Sequence, residues 1–411
     1  MPALDFPATP TDGQVFENWI YSSAKQAWQS RPLTPAKTVN SPVAPSSPAA
    51  GDQWFNTDTG QLFIYYTDAN TSQWVESRAP ITADGYISPN YIINGAFDIW
   101  QRGTTFSHIN TAIYGADRWG IFRPGFAAGA SSSRQLTGLT SFQHGMRVQR
   151  SSGNTSTAGI FAVNTFETVN SLPLAGKTVT FSFYARRGAN FSGTSGNVDA
   201  YVITGTGTDQ NLWGTYTGYA VAVTGSASLT SSWQRFSYTG PVAANVTQIS
   251  VQIGMTPTGT AGADDWFEIT GVQLEEGSVA TPFRRNANSI QGEFATCLRY
   301  FNRFSFANGD LKPFITKLSP TGSGAGYGVL LLPVPMRVAP TVSFSAPSTF
   351  QTHVPGVLIN SPTAISSLTI DNSPRTIQIS TSGSSSFTFG QAVDLQWNSS
   401  GGGIIDISAE L

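Results

Sequence analysis

The chain has 411 residues, which predicts about two to four domains, and its charge is sparse for that length. Lys, Arg, Asp and Glu make up 11% of it, whereas an average soluble protein has about 25%. Because the net charge is only -2, the chain lacks the field that a phosphate backbone requires, which excludes a polybasic nucleic-acid binder. Hydrophobic residues make up 40%, so charge-driven disorder is excluded as well.

The single cysteine and the first residues of the chain indicate the cellular compartment in which the protein is made. Cys297 is the only cysteine, so no disulfide can form within one chain. The first residues lack a basic leader and an apolar segment, and no later apolar run approaches the roughly 18 residues that cross a bilayer. We therefore expect a protein that is made in the cytoplasm and does not insert into membranes.

Residues 1–80 contain a duplicated phrase. Pro-x-x-Pro-x-x-Gly followed by x-x-aromatic begins at Pro7 and recurs at Pro45, and each copy continues to an Ile-Tyr pair and a Trp. The Pro-rich segment between the copies predicts an extended linker. Units this small bury little by themselves, so we interpret them as anchor modules whose aromatic side chains pack on a partner or on neighbouring chains. The predicted anchor residues are Phe16, Trp19, Tyr21, Trp28, Trp54, Tyr65 and Trp74.

Residues 81–285 show the period of β-strands. In residues 177–185, Val179, Phe181 and Phe183 alternate with polar residues and Tyr184, the pattern of a half-buried strand. Similar short runs follow, separated by clusters of Gly, Asn, Asp and Thr. The spacing predicts an antiparallel two-sheet sandwich of jelly-roll type.

Residues 286–304 change to a helical period. Apolar side chains recur with spacings of four and three, and Asn288 with Gln291 fits a capping box. We predict one helix over 288–304, which either lies on its own domain as an amphipathic helix or forms a short coiled coil around a symmetry axis. In both cases Cys297 is expected to be a buried small hydrophobe. The predicted seam is Ile290, Phe294, Cys297, Phe301 and Phe304.

Residues 305–411 return to short runs of alternating strand pattern and predict a compact C-terminal β domain. The chain as a whole is therefore expected to be all-β, with short N-terminal modules, a central sandwich, one linking helix and a C-terminal β domain.

Patterns that carry catalysis or hold cofactors are scarce. The three histidines lie far apart in polar or Pro-containing segments, and no phosphate loop or nucleophile elbow occurs, so we expect no metal, no cofactor and no enzyme activity. A polysaccharide depolymerase would need two carboxylates beside a glycosidic bond. One pair of candidates follows a turn before a strand and another pair ends a strand, which favours a structural role for those two pairs, Asp264-Asp265 and Glu275-Glu276. The five candidates are Asp264, Asp265, Glu268, Glu275 and Glu276.

Aromatic residues among neutral polar ones are the more informative feature. Sugar rings offer apolar C–H faces and many hydroxyls, so glycan sites combine aromatic rings with amide and hydroxyl partners. Residues 209–219 fit this description best, although Trp213 and Tyr219 are also typical of core aromatics at the start of a strand. The predicted glycan-binding residues are Asn211, Trp213, Tyr216 and Tyr219.

Several phrases resemble those of tail-fibre and related virion proteins of tailed bacteriophages, including phages of cyanobacteria. Residues 91–106 with 114–119 resemble the opening of a domain in those proteins, and 272–283 resemble its end. A Glu-x-x-x-Cys-x-Arg-Tyr-Phe helix follows at 293–301, and a Pro-Met-Arg-x-x-Pro-Thr-Val phrase follows at 335–342. The duplicated module resembles short Trp- and Tyr-rich units that fix a fibre to a phage particle.

The resemblance implies a homotrimeric fibre in the virion tail with a carbohydrate-binding-module-like middle domain. Residues 1–80 would attach it to a baseplate or other tail protein, and residues 305–411 would form the host-facing tip. The expected function is non-catalytic adsorption to a host surface polysaccharide such as lipopolysaccharide. A purely structural fibre, collar or baseplate protein without receptor binding is the alternative, and a depolymerase is the second alternative.

Overall fold

The structure, a computed structural model, is nearly all-β and divides into two compact units, Met1–Ile87 and Ser88–Leu411. The boundary that we predicted after residue 80 lies within 77–88, outside the described residues. The described residues are 7–16, 19–30, 37–68, 71–76, 89–108, 112–124, 129–213, 216–306, 314–322, 324–354, 361–369, 374–383, 387, 389–398 and 402–411. In them, no helix is long and apolar enough to span a membrane.

The first unit contains two small sheets, one for each copy of the duplicated phrase. The three-stranded sheet consists of β1 (Val15–Phe16), β2 (Trp19–Ser22) and β3 (Ala27–Ser30). The four-stranded sheet consists of β4 (Thr38–Ser41), β5 (Gln53–Asn56), β6 (Leu62–Thr67) and β7 (Ser72–Glu76). The segment that we predicted as an extended linker contributes β4, which pairs with β5 in parallel.

The two copies of the phrase fold alike. Gly13 and Gly51 both have positive φ, which glycine adopts without steric cost. Each donates its backbone N–H to the tyrosine of the following Ile-Tyr pair, over 2.9 Å to Tyr21 and 2.8 Å to Tyr65. The repeated sequence therefore specifies a repeated turn and hairpin.

The aromatic side chains predicted as anchors pack on one another within each sheet. Trp28 contacts Tyr21 at 5.4 Å between ring centroids, and Trp74 contacts Tyr65 at 5.2 Å. Trp54 stacks on Phe63 and is buried. The register places a second set of apolar side chains on the opposite face of the four-stranded sheet, where they are 37% to 53% exposed. This set is Phe55, Ile64, Tyr66 and Val75.

Two six-stranded antiparallel sheets form the jelly-roll sandwich of the second unit. The first sheet has the order β17 (Gln234–Pro241), β14 (Thr178–Arg187), β19 (Trp266–Glu276), β12 (His144–Arg150), β11 (Ala130–Leu136) and β8 (Thr105–Ser107). The second sheet has the order β16 (Ala220–Ser228), β15 (Asn197–Gly205), β18 (Gln248–Met255), β13 (Ile160–Thr165), β10 (Gly120–Phe122) and β9 (Ala112–Tyr114).

The core of the sandwich follows the alternation that the sequence shows. Val179, Phe181 and Phe183 of β14 point inward and are fully buried. Alternate residues of β15 and β18 meet them from the second sheet, Val202 and Val251 among them. A short helix α1 (Thr168–Ser171) closes one end. The sandwich predicted for this part of the chain is confirmed.

The helix predicted over 288–304 is shorter than expected. The helix α2 spans Ile290–Leu298, and its N-cap is Ser289 rather than Asn288. Cys297 is buried against Ile93, Ile99 and Tyr300, so the helix lies on its own domain and the prediction for Cys297 is confirmed.

The seam is therefore not continuous. Phe301 and Phe304 belong to the strand β20 (Phe301–Phe306) and not to the helix. Between the helix and this strand, Arg299 and Tyr300 both bind Glu167. The guanidinium of Arg102 lies 3.5 Å from the centroid of the Phe301 ring. Only Ile290 and Phe294 keep an exposed apolar edge, each 43% exposed.

The C-terminal region forms two more antiparallel sheets around a core of its own, in which Phe350 stacks on Trp397. One sheet has the order β20, β28 (Gly403–Ser408) and β23 (Thr341–Phe344). The other has the order β24 (Phe350–His353), β27 (Val393–Trp397), β21 (Phe314–Gly322), β22 (Ala325–Leu331), β26 (Thr376–Ser382) and β25 (Ala364–Thr369).

Ion pairs join this region to the sandwich within the second unit. Glu410 contacts Arg102 at 3.1 Å and also pairs with the buried Arg118. Arg303 forms a forked pair with Asp406 and donates to the carbonyl of Arg102 at 2.6 Å. The region predicted as a separate tip is thus tied to the sandwich by buried charge pairs.

Candidate functional site

The candidate site is the outer face of the second sheet, which we call the Tyr201 face. Its strands turn one set of side chains into the core and present the other set outward. The outward set has its own apolar cluster, separate from the core, in which Val163 and Ile203 are buried and several aromatic rings are half-buried. The members of the face are Phe122, Phe161, Asn197, Asp199, Tyr201, Trp213, Tyr219, Ser226 and Gln252.

Strand register brings aromatic and polar side chains together on this face. Tyr201 is opposite Gln252 of β18, and Asp199, two residues earlier, is opposite Gly254. Gly254 is in turn opposite Phe161 of β13. Because Gly254 has no side chain, the Phe161 ring lies over its backbone, where a Cβ would come within 2.4 Å of the ring. Tyr201 and Phe161 therefore flank a flat strip of backbone bordered by an amide and a carboxylate.

A row of hydrogen bonds orients the polar groups beside Tyr201. Asn197 donates its side-chain amide to the Ser226 hydroxyl over 3.0 Å. That hydroxyl donates to the Asp199 carboxylate over 3.3 Å. Asn197 and Asp199 are half-buried, so their remaining donor and acceptor positions can meet the hydroxyls of a sugar.

The Tyr201 hydroxyl remains protonated at neutral pH. Partial burial raises the pKa of Tyr201, and the negative charge of Asp199 and the neighbouring Tyr219 raise it further. A phenol in this state both donates and accepts a hydrogen bond, while its ring offers an apolar surface.

The described residues of the segment between β15 and β16, 206–213 and 216–219, fold over one end of the face. Leu212 and Tyr216 are buried there, and the Trp213 ring lies over Gly120, whose Cβ would come within 1.8 Å of the ring. Trp213 also meets Tyr114 edge to face at 5.4 Å. Trp213 therefore forms a half-buried wall at the end of the face.

The C-terminal region holds this segment in place. Arg337 pairs with Asp209 at 3.2 Å, and Asn211 donates its side-chain amide N–H to a main-chain oxygen of Leu411. Asp209 also accepts a hydrogen bond from the backbone N–H of Thr168 over 2.8 Å. The position of Trp213 thus depends on contacts from two parts of the second unit.

The four predicted glycan-binding residues have different positions. Trp213 borders the face, and Tyr219 is 52% exposed and close enough to Tyr201 to affect its ionisation. Tyr216 is only 2% exposed and shares a hydrogen bond with the Ser250 hydroxyl, so the prediction that it contacts ligand is wrong. Burial raises the pKa of Tyr216 to about 12. Asn211 instead supports the fold of its own segment through the backbone of Trp213.

Sequence reasoning missed the central residues of the face. Asp199 and Tyr201 alternate with the buried Val198, Ala200 and Val202. If residues 197–205 are recognised as a strand, this alternation places Asp199 and Tyr201 on the face opposite the core. Which partners lie across from them depends on register, and the alternation of a single strand does not specify register.

Three of the five carboxylates considered for catalysis are bound to other protein groups. Asp265 is fully buried, pairs with Arg150 at 2.8 Å and accepts the Ser192 hydroxyl at 2.7 Å. Glu268 is fully buried between two arginines. Glu275 accepts hydrogen bonds from the backbone and hydroxyl of Thr281. These contacts support structural roles, as the sequence context indicated.

A cleft beside α2 is a weaker candidate. It is lined by Asn90, Ile93, Val169, Asn286, Arg299 and Tyr300, among others. Its charged and phenolic groups are committed, because Arg299 and Tyr300 both bind Glu167 at 2.6 to 2.9 Å. No group of three metal-ligating side chains occurs in the part of the chain that the structure describes.

No family model matches this chain, and no curated protein matches it. Among solved structures, a CBM4 module is 17% identical with a TM-score of 0.29, covering 45% of this chain and 99% of its own. A putative sugar binding protein from Bacteroides thetaiotaomicron is 16% identical with a TM-score of 0.30, covering 46% and 100%.

A phage protein is also among the similar structures. The enzymatically active domain of tailspike protein 4 from bacteriophage CBA120 is 9% identical with a TM-score of 0.28, covering 46% of this chain and 21% of its own. At these identities and TM-scores, the likenesses leave the function to be argued from the residues of this chain.

Proposed function

We propose that this chain is a receptor-binding fibre of a phage tail that adsorbs to a host surface polysaccharide without cutting it. The Tyr201 face is the observation that carries the proposal. It combines half-buried rings with the side chains of Asn197 and Asp199, which are the groups that a sugar ring and its hydroxyls require. Three of the candidate catalytic carboxylates are bound to other protein groups, which supports a non-catalytic role.

The assignment to a virion tail rests on the resemblance of the phrases at 91–106, 272–283, 293–301 and 335–342 to those of phage fibre proteins. In this proposal residues 1–80 dock on a tail protein. The exposed apolar face of the four-stranded sheet offers the surface for docking, because the predicted anchor tryptophans Trp54 and Trp74 pack on each other instead.

We also propose that the fibre is a homotrimer. The exposed edge of Ile290 and Phe294 gives the chain an apolar surface for a second copy. Three identical sites on one fibre multiply a weak affinity for each sugar site into tight adsorption to a repeating polysaccharide.

Binding of the full chain to an immobilised panel of purified bacterial lipopolysaccharides and capsular polysaccharides tests the proposal. We expect binding to at least one neutral polymer and a loss of about tenfold or more with Tyr201→Ala, because central aromatic contacts carry most of the energy in such sites. Release of reducing ends from the bound polymer measures cleavage, which we expect to be absent.

Tyr327→Ala is the control, because Tyr327 is a tyrosine of a sheet in the C-terminal region and is 42% exposed. If Tyr327→Ala abolished binding and Tyr201→Ala did not, the receptor site would lie in the C-terminal region. If neither the panel nor whole host cells bound the chain, the structural-fibre alternative would replace this proposal.

A further inference from the structure

The outer face of the first sheet carries a different arrangement, which we call the Trp266 face. Strand register places Arg186 of β14, Glu268 of β19 and Arg147 of β12 in one row across three adjacent strands. Trp266 and Trp233 lie beside the two arginines. The three charged side chains are thus flanked by two rings, on the side of the sandwich opposite the Tyr201 face.

One carboxylate serves both arginines in this row. Arg147 contacts Glu268 at 2.6 Å, and Arg186 contacts its other oxygen at 2.7 Å. Glu268 is fully buried, whereas the arginine side chains are 24% and 25% exposed. Two positive charges against one negative charge leave the row with a net positive charge directed to solvent.

The tryptophans hold the guanidinium groups in fixed positions. Arg147 lies 4.1 Å from the ring centroid of Trp266, and Arg186 lies 4.8 Å from that of Trp233. Trp233 is itself held by a hydrogen bond of 3.0 Å from its indole N–H to the carbonyl of Thr137. Stacked and paired guanidinium groups lose little entropy when they bind an anion.

The row also leaves donors available. Arg186 donates to Glu268 through Nε, and its two terminal nitrogens have no hydrogen-bond acceptor among the residues that the structure describes. Two parallel N–H groups on a guanidinium match the two oxygens of a carboxylate. The rings of Trp233 and Trp266 provide apolar surface on either side for the C–H face of a sugar.

We propose that the Trp266 face is a second carbohydrate site, which binds a carboxylate-bearing sugar of an acidic polysaccharide. The carboxylate is held by the fork of Arg186 and the charge of Arg147, and the sugar ring lies against the tryptophans. This site is independent of the Tyr201 face, whose ionisable group beside Tyr201 is the acidic Asp199 and which therefore disfavours anionic sugars.

Polygalacturonate, with a neutral glucan as the comparison polymer, is the probe. We expect the full chain to bind polygalacturonate and Arg186→Gln to weaken binding about tenfold, since it removes both the fork and the excess charge. Arg186→Lys keeps the charge without the fork and should recover only part of the affinity. Binding should also weaken as salt rises.

Glu268→Gln gives the sharpest test, because it removes the carboxylate that competes with the ligand. If polygalacturonate binds at this face, we expect this variant to bind it more tightly than the wild type. If the row is only structural, none of these substitutions should change the binding. Circular dichroism and thermal unfolding establish that each variant is folded, and Arg186→Lys serves if Glu268→Gln does not fold.

Tyr201→Ala separates this site from the first one, because it should leave binding to polygalacturonate unchanged. Absence of polygalacturonate binding by the wild-type chain, or equal binding by wild type and Arg186→Gln, would overturn the proposal. So would binding of poly(glycerol phosphate) without binding of polygalacturonate, which would assign the face to phosphate polymers.

Discussion

The two outer faces of the sandwich have the same strand architecture and opposite chemistry. On the Tyr201 face, aromatic rings are accompanied by an amide, hydroxyls and one carboxylate. On the Trp266 face, the rings are accompanied by arginines whose charges exceed that of the single carboxylate between them. If both proposed sites bind sugars, this difference lets a chain with only 11% charged residues distinguish neutral from acidic ligands.

The largest effect is expected from a substitution that tests whether Asp265, the residue before Trp266, has a structural role. Asp265→Asn leaves Arg150 buried without its counter-charge, so we expect the free energy of unfolding to fall by about 3–5 kcal/mol. Chemical denaturation measures this loss, and Asp264→Asn, which changes the exposed neighbour, is the control.

A catalytic role for Asp265 predicts the opposite pattern. The Asp265→Asn protein would then be as stable as the wild type but would lose an activity that releases reducing ends. That outcome would mean that Asp265 is not a structural carboxylate, so it would no longer contrast with the arginines that we propose bind ligand on the same sheet.

The next effect concerns the segment that covers one end of the Tyr201 face. Burial raises the pKa of Tyr216 to about 12, above its unfolded value of about 10. The folded state therefore holds the proton more tightly, and this stabilisation is complete below pH 10 and lost as the pH rises towards 12. We expect a contribution on the order of 3 kcal/mol to disappear over that window.

Denaturation of the wild type and Tyr216→Phe across this pH range isolates the contribution. Tyr216→Phe should flatten the decline, although other buried tyrosines keep part of it. Equal slopes for the two proteins would mean that the segment is not packed on the sheet as described.

The smallest expected effect sharpens the role of Trp213. Gly120→Ala places a methyl group where the Trp213 ring lies, and the ring must move. We expect a shift in tryptophan emission and a several-fold loss of affinity for the glycan of the Tyr201 face, with no change at the Trp266 face. Unchanged affinity would exclude Trp213 from the site.

Prediction from sequence succeeded where one local pattern decides the structure. The alternation in β14 and the repeated Gly13 and Gly51 phrases specify strands and turns by themselves. It failed at Phe301 and Phe304, because spacings of three and four continue by coincidence into a strand that pairs with β28. The site was only partly predictable, since Tyr201, Phe161 and Gln252 meet through pairing of distant strands.

A structure of the full chain with an oligosaccharide of the neutral polymer it binds tests the central claim most directly. We predict a sugar ring in van der Waals contact with Tyr201 and Phe161, with hydroxyls hydrogen-bonded to Asp199 or Asn197. A sugar bound in the C-terminal region, with the Tyr201 face free, would contradict it.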